Sequence, residues 1–139
     1  MHGVPVVSPK VAREMRNMLA LVTGKGGTAP SAAIPGYSTG GKTGTAYLWR
    51  GKGYDKHLFR AQFVGLAPIG HPKIVMAISV DQPSGGKHFG GDVSAPVFAE
   101  VVPQALRILG VPPDLPVQPE VPPVIMTQSQ HVANVGGGA

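Results

Sequence analysis

Gly36-Tyr37-Ser38-Thr39-Gly40-Gly41-Lys42-Thr43-Gly44-Thr45-Ala46 decides how this chain is understood, because the stretch fits two different chemistries. Gly36 to Thr43 matches G-x-x-x-x-G-K-[ST], the P-loop whose backbone N–H groups cradle nucleotide phosphates. Lys42-Thr43-Gly44-Thr45 is also a K-T-G element, which belongs to acyl-transfer sites. The first reading makes a nucleotide hydrolase and the second a carboxylate-binding acyl-transfer site.

The flanks separate the two. A phosphate-cradling loop is fed by a buried strand and opens a helix at its Lys-Thr, so that first-turn N–H groups face the phosphates. The approach here, Thr28-Ala29-Pro30-Ser31-Ala32-Ala33-Ile34-Pro35, carries two prolines and one large aliphatic residue. Prolines cannot donate ladder bonds, so the approach is expected to be an extended loop. Beyond Lys42, Gly44 interrupts any helix in its first turn. Thr45, Tyr47 and Trp49 then alternate with Ala46, Leu48 and Arg50, a period of two that predicts a strand. Gly51-Lys52-Gly53 closes it as a turn. The apolar run Ile74 to Asp81 also invites a nucleotide reading, since magnesium-binding strands end on an Asp. Many ordinary strands, however, end on an Asp that starts a turn.

With a strand-borne K-T-G in place, a wider likeness emerges. Gly26-Gly27-Thr28-Ala29, Pro35-Gly36-Tyr37 and Gly41-Lys42-Thr43-Gly44-Thr45-Ala46 resemble the third-motif region of class B penicillin-binding proteins. So do Phe63-Val64-Gly65-Leu66-Ala67-Pro68, Gly90-Gly91, Ala95-Pro96-Val97-Phe98 and Leu109-Gly110-Val111-Pro112-Pro113-Asp114. They occur in the family's order, and the likeness is strongest to the cell-division peptidoglycan D,D-transpeptidases. The resemblance implies an α+β fold. It would be the C-terminal half of a penicillin-binding transpeptidase (serine β-lactamase-like) fold, with antiparallel strands covered by helices. Residues 1–113 would form this partial domain, and 114–139 a Pro/Gly-rich disordered tail.

The resemblance also implies a chemistry. An active-site serine attacks the penultimate D-alanine carbonyl of a stem peptide, and the acyl group passes to the amine of a neighbouring stem. Lys42 and the hydroxyls of Thr43 and Thr45 would bind the substrate's terminal carboxylate. The Thr45 backbone N–H would be one of two oxyanion donors, and Gly44 would remove a side chain from the approach. One such donor stabilises a transition state by about 3–4 kcal/mol. Gly90 and Gly91 would border the cleft. The implied partners are peptidoglycan stem peptides, β-lactams, the missing N-terminal half of the transpeptidase domain and other division proteins, with no nucleic acid and no cofactor. The family works at the periplasmic face of the inner membrane.

The family's two earlier motifs are not credibly here. No S-x-N occurs, and S-x-x-K is matched only by Ser84-Gly85-Gly86-Lys87, after the K-T-G rather than before it. The true element starts a helix, where adjacent glycines cost about 1 kcal/mol each. Alone, the chain is therefore expected not to catalyse. A non-catalytic piece that binds D-alanyl peptides or a division partner stays open as an alternative, with the P-loop hydrolase third.

Composition fits a modest domain. The chain has 139 residues, 42% of them hydrophobic, with 20 glycines and 15 prolines that indicate many loops. The formal net charge of +5 permits an anionic partner, yet the basic residues scatter along the sequence, as expected of a solvated surface. With no cysteine there is no disulfide to consider, and the histidines lack metal-ligand spacing. Neither a signal peptide nor a run of membrane-spanning length is evident.

Ser8-Pro9 predicts a helix start and Gly24 its end, with Val11, Met15, Met18, Leu19 and Val22 as a core-facing stripe. Strands are expected at about 42–50, 59–67 and 73–81, the last buried on both faces. A closing helix at about 94–109 is expected to turn Val97, Val101, Val102, Ala105, Leu106 and Leu109 inward, with Pro103 kinking it or limiting its first half. The loop 84–92 reads as a mobile glycine loop.

Overall fold

The computed structural model describes residues 4–116. Helix α1 (Pro9–Thr23) leads through a short 3-10 turn (Pro30–Ala32) to three strands, β1 (Gly40–Trp49), β2 (Tyr54–Ala67) and β3 (Ile74–Asp81). A single turn, α2 (Gly90–Val93), and the closing helix α3 (Ala95–Ile108) follow. The strands form one antiparallel sheet in the order β1-β2-β3. This is the expected α+β architecture. Lys42 and Thr43 lie inside a strand rather than at a helix start, so the local structure a P-loop requires is absent.

The core sits between one face of the sheet and α3. On β2, Ala61, Phe63, Gly65 and Ala67 alternate inward and are buried, while Val64 between them is 46% exposed. Phe63 meets Phe98 of α3 edge to face, with centroids 5.3 Å apart. Burying one such ring stabilises the fold by roughly 1.5–3 kcal/mol. Gly65 makes this contact possible, since a Cβ there would come within 2.6 Å of both rings.

The start of α1 is as the sequence predicts. The Ser8 hydroxyl accepts from the Val11 N–H at 3.3 Å, and Pro9 opens the first turn. Its apolar stripe, expected to face the core, does so only towards its C-terminal end, where half-buried Val22 packs against the core. Val11, Met15 and Met18 are 43–54% exposed, and only the C-terminal end of the helix meets the sheet. There the buried Thr23 hydroxyl donates to the Thr39 carbonyl at 2.8 Å, fixing the helix end one residue ahead of β1.

Two further expectations are corrected. In α3 the buried stripe is Ala95, Phe98, Val102 and Leu106, whereas Val97, Val101 and Leu109 are exposed. The Ser94 hydroxyl sets this rotation by donating to the Ala61 carbonyl at 2.9 Å, and α3 runs through Pro103 as one element. Strand β3 is not buried on both faces. It alternates half-buried with exposed residues, Val75 being 71% exposed, because only one of its faces meets α3 and it forms a sheet edge among the described residues.

Arg60 opposite Asp81 is the last pair between β2 and β3. The guanidinium grips the carboxylate with two hydrogen bonds, at 2.6 and 2.8 Å, so the Asp that ends β3 is engaged within the sheet. Beyond this pair β1 and β2 continue as a two-stranded ribbon that turns at Gly51, where φ is 65°. At the other end of the chain the Asp114 carboxylate accepts from the Ser38 N–H at 2.7 Å and from the Ser38 hydroxyl. The Asp114 and Leu115 N–H groups donate to the Gly36 carbonyl. Most of the expected tail, residues 117–139, lies outside the described residues.

Candidate functional site

The pleat of β1 sorts the K-T-G residues onto two faces. Thr43 and Thr45 pair with Phe63 and Ala61 and share their face, whereas Lys42 and Gly44 pair with Val64 and Gln62 on the other. Of the six residues expected at a site, the structure brings four together. Thr43, Thr45, Gly90 and Gly91 line a cleft of about 430 Å³ with Thr28, Pro30, Ser31, Phe89 and Asp92.

Hydroxyls dominate its polar wall. The Thr28 and Thr43 hydroxyls lie 3.3 Å apart, the Gly90 N–H donates to the Thr45 hydroxyl at 3.3 Å, and Ser31 donates to the Gly91 carbonyl at 2.5 Å. The two glycines are there because α2 lies directly on the strands. A Cβ on Gly90 would sit 1.9 Å from the Gln62 carbonyl oxygen and 2.7 Å from that of Gly44. One on Gly91 would sit 2.2 Å from the Thr28 oxygen. These obstacles are backbone atoms, which cannot swing aside. The second half of the expected mobile loop is therefore packed, while Ser84 to Lys87 remains exposed.

Lys42 is placed apart from the hydroxyls. Its Nζ donates to the Thr43 carbonyl at 2.8 Å, and it lines a smaller groove of about 250 Å³ with Thr43, Gly44, Gln62, Val64, Ala77 and Ser79. Asp92 is a cleft residue that the sequence reading did not pick out. Its carboxylate lies 4.0 Å from the Lys87 ammonium, so the cleft carries a negative group with a nearby counter-charge. Thr28 and Ser31 were equally illegible as lining residues, since only the 3-10 turn brings them to β1. The one signal pointing there was the Gly-Gly-Thr-Ala likeness itself.

Next to the cleft, Phe59 and His88 stack, and Phe89 tilts against His88. Phe59 of β2 and His88 lie 4.1 Å apart and 21° from parallel, and the Phe89 ring is 4.3 Å from His88. With Thr45, Ala46 and Tyr47 they enclose a recess of about 360 Å³. Ser84, the apparent S-x-x-K serine, sits in an exposed bend. Gly85 and Gly86 have φ of 93° and 81° there, incompatible with the helix that would place Lys87 one turn away.

The family described as "Penicillin binding protein transpeptidase domain" matches residues 2–103. The chain is 41% identical over 108 residues to a probable peptidoglycan D,D-transpeptidase, PbpC, of Pseudomonas aeruginosa, covering 78% of this chain and 19% of that protein. It is 34% identical over 112 residues to the Escherichia coli peptidoglycan D,D-transpeptidase FtsI, covering 81% and 19%. Among solved structures, the TP domain of Burkholderia pseudomallei penicillin-binding protein 3 matches with a TM-score of 0.74 at 55% identity, over 82% of this chain and 34% of that one. The chain thus spans about a fifth of the length of these curated relatives.

Proposed function

The chain belongs to the penicillin-binding protein transpeptidase domain family, and on that premise we propose that it supplies the K-T-G side of a peptidoglycan D,D-transpeptidase cleft. In this reading the hydroxyls of Thr43 and Thr45 hold the terminal carboxylate of a D-alanyl-D-alanine end. Lys42 attracts that carboxylate from the other side of β1, acting through its charge rather than by the direct contact the hydroxyls make. The Thr45 backbone N–H donates to the oxyanion that forms when the penultimate carbonyl is attacked. Gly90 and Gly91 close the cleft floor, and the Lys87 ammonium offsets the charge of Asp92. The attacking serine and its lysine come from the part of the domain that bears S-x-x-K and S-x-N. β-Lactams acylate that serine while this chain grips their carboxylate. The parent enzyme acts at the periplasmic face of the inner membrane. No helix among the described residues is long and apolar enough to cross that membrane.

The observation that supports this most is the convergence of the Thr43 and Thr45 hydroxyls with Gly90 and Gly91 on one cleft. A carboxylate needs short donors in such a place. A second reading, a chain that by itself binds D-alanyl peptides without turnover, rests on Ser84, the serine of the S-x-x-K match, standing outside the residues that line the cleft. A fluorescent penicillin tests the proposal, given to the purified chain alone and together with an N-terminal half carrying S-x-x-K and S-x-N. Label on the added half, and only when this chain is present, is the expected result. Covalent label on this chain alone would overturn it.

A further inference from the structure

The ribbon formed by β1 and β2 beyond the Arg60–Asp81 pair does something the cleft does not use. A bare two-stranded ribbon is marginal in water and is normally held by cross-strand side-chain pairs. Trp49 and Tyr54 form such a pair, with rings 5.4 Å apart and edge on, yet they remain 60% and 70% exposed. The seven residues from Arg50 to Lys56 place three basic residues around them. Arg50, Lys52 and Lys56 are all exposed, and none forms a salt bridge among the described residues. The acid on this tip, Asp55, turns its carboxylate onto the His57 N–H at 2.8 Å. The tip therefore presents three cations to one carboxylate, with no salt bridge among them, beside two ring faces.

We infer that this ribbon tip is a docking surface for the polymer that carries the stem peptides, a carboxylate-bearing glycopeptide strand. Guanidinium and ammonium groups match its carboxylates. Indole and phenol rings offer amphipathic faces to its sugar rings. The tip and the cleft share one strand, Trp49 lying about 20 Å along β1 from Thr43 at roughly 3.3 Å per residue. A strand whose stem end enters the cleft can thus lie against the tip. This inference rests on the transpeptidase reading, because that reading puts such a polymer beside β1.

Co-sedimentation of the purified chain with isolated peptidoglycan sacculi tests it, across a series of salt concentrations. The parent chain sediments, less so as salt rises. Arg50→Gln/Lys52→Gln/Lys56→Gln binds about tenfold more weakly. Trp49→Val/Tyr54→Val, which keeps β-branched side chains at the cross-strand pair, weakens binding at every salt concentration, with an unchanged far-ultraviolet circular dichroism spectrum showing that each variant is folded. Equal sedimentation of the charge variant and the parent overturns the inference, and so does a parent chain that stays in solution. Binding to vesicles of phosphatidylglycerol and phosphatidylethanolamine in place of sacculi overturns it in favour of a lipid surface. Penicillin labelling of the added N-terminal half is read separately and is unaffected by the charge variant. Sacculus binding without that labelling would sink the transpeptidase reading and leave the ribbon surface standing.

Discussion

At the scale of single residues, position on the pleat matters more than proximity in sequence. Lys42 and Thr43 are neighbours, yet one faces the groove beside Gln62 and the other the cleft beside Gly90. Lys42 is exposed and bonds only to a backbone carbonyl, so Lys42→Ala is expected to change stability by less than about 0.5 kcal/mol. In the reassembled enzyme the same substitution is expected to suppress penicillin acylation, so paired melting and labelling measurements check both halves. Unchanged acylation would remove Lys42 from the site. Gly90→Ala is the opposite case. Its Cβ meets fixed carbonyl oxygens of Gln62 and Gly44, and the overpacking should cost about 1–3 kcal/mol. A differential scan should register this as a Tm lower by roughly 5–15 °C.

At the scale of elements, the Arg60–Asp81 pair joins β2 to β3 where the sheet narrows to a ribbon. The hydrogen bond from Arg60 holds the Asp81 carboxyl below its ordinary range, desolvation opposing this and the Arg60 charge reinforcing it. A lowered folded pKa stabilises the fold above the unfolded pKa, and that contribution is lost as pH falls through the folded value. Asp81→Asn is therefore expected to flatten the acid limb of a Tm-against-pH curve while leaving its neutral-to-basic part parallel to the parent's. An unchanged acid limb would mean that the pair is too exposed to count. Much of the element plan was legible because its signals are local: Ser8-Pro9 at a helix start, alternation through Tyr47 and Trp49, glycine at the ribbon turn. What failed was facing. Period-two and helical patterns say that a stripe exists but not what covers it, so β3 and most of α1 read as buried, and α3 read with Val97, Val101 and Leu109 inward beside the correctly placed Val102 and Leu106. Of the residues that line the candidate cleft, Thr43, Thr45 and the Gly90-Gly91 pair were legible. Asp92 and the Phe59–His88 stack were not, because loop closure brings them in and no spacing encodes it.

At the scale of the whole molecule, α3 covers one side of the sheet, and among the described residues α1 reaches only the Gly40 end of the other, leaving most of that side bare. Val64 and Val75 on the bare side, with Met15, Met18 and Leu21 on α1, leave large apolar side chains in water. Such surfaces and the β3 edge promote association between copies. Light scattering should show concentration-dependent self-association of the isolated chain. Addition of the N-terminal half should reduce both this scattering and the binding of an apolar dye. A chain that stays monomeric at high concentration and binds no dye would argue against an uncovered sheet. The clasp of Asp114 on Ser38 has a consequence of another kind. It ties the segment that follows α3 to the turn that launches β1, two residues before Gly40. In mechanical terms the clasp is a lever with a short arm. A pull on the chain beyond Asp114 would be transmitted to Ser38 and on to the start of β1, rather than dissipated along α3, so tension at one end of this fold would be felt where its threonine hydroxyls are aligned.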